Sequence, residues 1–217
     1  MIVRSLFAII MSFTQSISHG AERHIDQFRV NKEIPALLEK NVLKALACYP
    51  ELKNASIAFV FKKNLNSSVM QAQPVFRSLL RRRSKRKYRV YISSHFKLTS
   101  STMPIESIPD DVMVGWIGHE LGHIMDYEGM SNTGIVSFGT RYVTSPEFVK
   151  RAEIAADTYA VNHGLGKYII ATKRFILNNA DLPQAYKDKI SRLYLSPDII
   201  VEQVKKHEEM MEKKSAQ

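Results

Sequence analysis

Apolar and polar positions change their period along the chain, and each change marks a change of element. Between Pro35 and Pro50, Leu37, Leu38, Val42, Ala45, Leu46 and Tyr49 recur at the spacing of one helix face, and the two prolines open and close the segment. Three extended segments follow. Ser56–Phe61 is rich in β-branched and aromatic residues and runs into a polar Asn64–Ser68 turn. Val69–Phe76 is weakened as a strand by Pro74, and Tyr88–Ser93 alternates with Arg89 on the face opposite Tyr88 and Val90. Together they predict a small antiparallel sheet. After Pro109-Asp110 the helical period returns over Asp111–Glu128. Gly129 and the Gly-, Ser-, Thr- and Asn-rich stretch Ser131–Ser145 read as a loop. Ser145 then caps a helix that has Pro146 in its first turn and runs to about His163, before Gly164. Lys167–Asn178, Pro183–Leu195 and a charged segment from Pro197 continue in helices. Strands first and helices after make an α+β architecture.

The N-terminus stands apart from this pattern. Arg4, the apolar run Leu6–Phe13 and the polar Thr14–His19 follow the order of a secretory signal peptide, so residues 1–18 are expected to be a leader or a short N-terminal anchor. Residues 19–217 then form one domain, and the protein is exported, periplasmic or secreted if the source is bacterial. No other segment supplies the ~20 apolar residues of a spanning helix. The composition of the full chain, 45% apolar and 24% charged, is too apolar for a disordered chain. A single cysteine, Cys48, forbids an intrachain disulfide and any zinc site built on several thiolates. Its place at the end of an apolar helix stripe predicts a buried, inert thiol.

Metal, if bound, must therefore sit on histidine and carboxylate. His119-Glu120-Leu121-Gly122-His123 places two imidazoles one turn apart on one helix face, able to reach a single tetrahedral ion. Glu120 beside the first points to the open coordination position, where it can act as general base. A metzincin would continue with glycine three and histidine six residues beyond His123; those positions hold Asp126 and Gly129. The alternative is a carboxylate from a later helix. Glu153 and Asp157 share a helix face, so one can bind metal while the other accepts the far N–H of a ligand histidine.

The two segments Asp110–His123 and Glu153–Ala160, the latter reading Glu-x-x-Ala-Asp-x-Tyr-Ala and followed by Gly164, resemble the glutamate-type zincins. The similarity is greatest to the peptidase family that includes HtpX and the prenyl-protein endopeptidases. It covers roughly residues 88–165. The resemblance implies a zincin-like fold and a zinc metalloendopeptidase with one catalytic ion, held by His119, His123 and Glu153. Glu120 is then the base, Asp157 a supporting carboxylate behind a ligand, and a peptide or protein the substrate. It also implies that the strand before the active-site helix, for which Tyr88–Ser93 is the candidate, pairs with an extended substrate. Unlike the integral-membrane members, this chain has no spanning helices after its leader. Oxyanion stabilisation falls to His163, Tyr142 or Tyr159 as candidates, and His163 also suits a helix C-terminus.

The net charge of +10 favours acidic partners. Seven of the basic residues lie between Arg81 and Arg89. Apart from Tyr88 that run has no interleaved aromatics, so a solvated loop, or peripheral contact with an anionic membrane, fits it better than nucleic acid. The competing reading is an exported basic membrane- or nucleic-acid-associated binding protein whose zinc site is structural or vestigial. Such a closed site would recruit Asp126 or Glu128 as a fourth protein ligand.

Overall fold

Alternation in the two best strand segments puts Ile57, Phe59, Tyr88, Val90 and Ile92 on one buried face, and this face is the platform on which the helices pack. A computed structural model describes residues 25–63, 65 and 68–215. The leader at 1–18 and the expected mature start near His19 lie outside the described residues. In chain order the elements are β1 (Lys32–Glu33), α1 (Glu39–Leu46), β2 (Ser56–Lys62), β3 (Met70–Pro74), a single turn α2 (Phe76–Leu79) and β4 (Lys87–Ser93). A small ribbon of β5 (His95–Lys97) and β6 (Thr102–Pro104) follows. The helical half comprises α3 (Asp110–Gly129), α4 (Asn132–Thr144), α5 (Pro146–Ala160), α6 (Gly166–Asn178), α7 (Gln184–Leu193) and α8 (Pro197–Ser215).

The α+β class and the helical C-terminal half agree with the sequence pattern, but the sheet is mixed rather than antiparallel. Its order is β1-β2-β4-β3, with β2 parallel to β1 and β4, and β3 antiparallel to β4. Side-chain alternation reports which face is buried and is blind to strand direction. Direction is set by the 63–86 connection, which returns the chain so that β4 enters between β2 and β3. Tyr88–Ser93 is accordingly an interior strand, bonded on both edges, and cannot pair with a substrate. β3 is the edge strand beside it, and the two-residue β1 is the edge on the far side.

Ser131–Ser145 is also not a loop. Ser131 Oγ accepts the Gly134 N–H at 3.0 Å as an N-cap, and Ile135 and Phe138 bury one stripe of α4 against the core. Packing of that stripe overrides the weak helix propensity of its glycines, serines and threonines. The basic run divides as well. Arg81, Arg82, Arg83 and Lys85 are exposed, whereas Arg86 is buried and donates to Tyr127 O, Met130 O and Asn132 Oδ1 at 2.6–3.0 Å. It ties the β4 entrance to the end of α3. Cys48 is only half-buried, and burial pushes its thiol pKa up.

Every residue of α3 from Val112 to Ile124 is buried, as expected of a helix enclosed on all sides. It packs on β3 and α1 and is flanked by α5 and α6. The α5–α6 junction turns at Gly164, whose φ of +77° suits a residue without Cβ.

Candidate metal centre

His119 and His123 stand one turn apart on α3, both buried, with rings nearly perpendicular and centroids 4.8 Å apart. What they face is decided by α5. Its start is fixed by Ser145, whose Oγ accepts the Phe148 N–H at 3.2 Å, and by Pro146 in the first turn. Its distance from α3 is fixed by Gly122: a Cβ there would lie 2.4 Å from Ala156 O, a backbone atom. Glu153 and Asp157, on either side of Ala156 in sequence, are brought against the histidines by this close approach.

Glu153 Oε2 lies 3.0 Å from His119 Nε2 and 3.6 Å from His123 Nε2. The other nitrogen of His119, Nδ1, donates to Asp157 Oδ1 at 2.8 Å. Asp157 Oδ2 in turn meets Lys173 Nζ at 3.1 Å and accepts the Leu195 N–H at 3.3 Å, while Tyr142 O–H donates to Glu153 Oε1. Ligand atoms of His119, His123 and Glu153 all fall within 4.8 Å of one another, a buried group that can hold a metal ion. The donor set fits. A tetrahedral zinc with ligands at about 2.0–2.1 Å sets its ligand atoms roughly 3.3 Å apart, between the two carboxylate–imidazole separations. Nδ1 of His123 is buried without a hydrogen-bond partner, so packing, including the stack on Tyr127, orients that ring.

The charges are tightly coupled. Burial would lower the His119 pKa, but hydrogen bonds to Asp157 and Glu153 outweigh it and hold the imidazolium up to about 10. Burial works to raise Glu153, yet His123 and His119 keep it well below the usual carboxylate range. Asp157 is likewise lowered, by Lys173 and His119 against its burial. Glu120 goes the other way. Burial raises its pKa against the pull of His123 and His119, and its Oε2 accepts the Ala72 N–H at 2.6 Å. Burial, then the Glu153 charge, raises the Tyr142 phenol.

A cleft of about 380 Å³ opens beside the cluster. Glu120, His123 and Glu153 line it from below, the edge strand β3 forms one wall, and Phe138 and Tyr142 of α4 form the other. Of the three oxyanion candidates only Tyr142 is here. His163 donates from Nδ1 to Tyr159 O at 2.7 Å, approaches Glu51 at 3.3 Å and stacks on Tyr49, and Tyr159 lies beside it. Asp126 is half-buried outside the cluster, and Glu128 accepts from Tyr88 O–H at 2.6 Å. Neither stands as a fourth ligand.

Sequence reasoning passed over Lys173, Tyr194 and the Ala72 N–H. Lys173 is buried against Asp157 with its ammonium 3.9 Å from the Tyr194 ring centroid, and Tyr194 packs 5.4 Å from the His119 ring. Its signal was present: Lys173 sits on the buried stripe of α6 between Ile169 and Ile176, an unusual place for a charge without a partner. Comparison with known proteins finds no family model, no curated protein and no solved structure that matches the chain.

Proposed function

We propose that the chain is a zinc-dependent metalloendopeptidase of the glutamate-type zincin class that its motifs resemble. The observation that carries this reading is the meeting of His119, His123 and Glu153 at one point, with Glu120 beside them at the floor of an open cleft. A zinc ion bound by these three supplies Lewis acidity toward a water and a peptide carbonyl.

The chain's own residues do the rest. Asp157 takes the Nδ1–H of His119 and so turns Nε2 toward the centre, and Tyr142 occupies Oε1 of Glu153 and leaves Oε2 for the ion. Glu120, with its pKa raised by burial, is suited to taking a proton from the attacking water and returning it to the amine as the C–N bond breaks. The edge of β3 suits an extended substrate. Val69 O accepts from Ser93 N–H and Val75 N–H donates to Lys87 O, so alternate residues bond to β4, and Met70, Ala72 and Pro74 turn their main-chain groups away from it; Ala72 spends its N–H on Glu120 Oε2 and its C=O on Tyr127 O–H, which leaves Met70 and the Pro74 C=O to meet a substrate.

The protein is further proposed to be exported behind the 1–18 leader, with Arg81, Arg82, Arg83 and Lys85 available to anionic headgroups. No helix among the described residues is long and apolar enough to cross a membrane. Zinc content and cleavage of an unfolded protein, with and without chelator, test the activity. Glu120→Gln should retain zinc and lose turnover by several orders of magnitude. Absence of bound zinc, or full turnover in zinc-loaded Glu120→Gln, refutes the proposal.

A further inference from the structure

A second cavity, of about 530 Å³, adjoins the cleft, and Ser68 and Lys189 line both. It lies where β3 begins, beyond Met70, and is bounded by the β5–β6 ribbon and the start of α7. Its chemistry differs from that of the first. Lys63, Lys97, Lys189 and His95 line it, and among the described residues no aspartate or glutamate does. The wall of the cleft facing β3 is apolar, with Phe138, Val143 and Val149. A peptide laid along β3 toward its start therefore reaches a cationic cavity.

Resting on the peptidase reading, we infer that the substrate is a peptide carrying acidic side chains on one side of the scissile bond, received by Lys63 and Lys97, which are exposed at the second cavity. The spacing gives their position. Ala72 touches Glu120, and Ser68 is four residues earlier on the same extended stretch, roughly 13 Å at about 3.3 Å per residue. The acidic positions fall about three to five residues from the bond that is cut.

The test uses the full-length, zinc-loaded Glu120→Gln protein, in which binding is separable from cleavage, and three fluorescent twelve-residue peptides. They carry three glutamates, three glutamines or three lysines at the same end and are otherwise identical. The glutamate peptide should bind about tenfold more tightly than the glutamine peptide, the equivalent of two exposed ion pairs, and the advantage should shrink with salt. Adding Lys63→Glu and Lys97→Glu, both at exposed positions, should invert the preference toward the lysine peptide, with an unchanged melting temperature. Equal affinity for the first two peptides, or an acidic preference that survives the double reversal, overturns the inference. Cleavage by the wild-type chain is scored separately. Cleavage without acidic preference removes only this inference, whereas acid-selective binding without cleavage removes only the peptidase reading.

Discussion

Gly122→Ala probes the contact that assembles the centre without altering any ligand. The added Cβ would stand 2.4 Å from Ala156 O and 3.0 Å from Ala156 C and Cα, where ordinary contact begins at 3.4 Å. These are backbone atoms of a helix, so no rotamer change relieves the overlap, and α3 and α5 must part by about 1 Å. Overpacking of this kind costs roughly 1–3 kcal/mol, while replacing glycine by alanine inside a helix returns about 1 kcal/mol. The net loss of about 1 kcal/mol lowers the melting temperature by roughly 2–4 °C in a domain of this size. The effect on the centre is larger. A shift of 1 Å takes the 2.8 Å His119–Asp157 bond and the 3.0 Å His119–Glu153 approach beyond hydrogen-bonding range. Zinc affinity should therefore fall by at least the roughly 10- to 100-fold seen when a supporting partner is lost. Competition against a chromophoric chelator measures this, with thermal melting in parallel. Gly129→Ala, where an added Cβ meets nothing within 4 Å, is the control and should change neither. Wild-type zinc affinity in Gly122→Ala would refute the argument that this contact sets the ligand spacing.

The ligand assignment predicts that zinc binding collapses in Glu153→Ala, falls roughly 10- to 100-fold in Asp157→Ala and barely changes in Asp126→Ala. Metal loss in Asp126→Ala alone would point to a different ligand set. For the metal-free chain, the His119 pKa stands at about 10 against an ordinary 6.5, so its contribution to stability is complete below about 6.5 and is lost as pH rises through about 10. Glu153 and Asp157, held below their ordinary 4.5 and 3.8, contribute above those values and lose that contribution as pH falls further. Melting temperature without zinc should thus decline from neutral pH toward 10, and a profile flat across that window would contradict the coupling. Arg86→Ala removes the Arg86 donors from Met130 O and Asn132 Oδ1 and leaves Tyr127 O with the Met130 N–H alone, and should cost about 3 kcal/mol, against less than about 0.5 kcal/mol for exposed Arg82→Ala, by chemical denaturation. Equal effects would return Arg86 to the solvated run.

Much of the candidate centre was legible along the chain because helical geometry is local. A spacing of four puts His119 over His123, and Glu153 over Asp157, on single helix faces whatever surrounds them. The cap at Ser145-Pro146 and the α+β order were readable for the same reason. Tertiary structure alone decided which strand is the cleft's edge, since alternation is identical in β3 and β4 and only the return of the chain at 63–86 places one inside and the other outside. It turned Ser131–Ser145 into a helix wall by burying Ile135 and Phe138, and it drew Arg86 out of a run of look-alike cations into the core. It also sent His163 to Glu51 while bringing Lys173 to Asp157, a choice between two polar side chains made by residues far away in sequence. Which faces a residue can share is written in its own helix or strand; which partner fills the space opposite depends on the packing of elements that a local pattern does not contain.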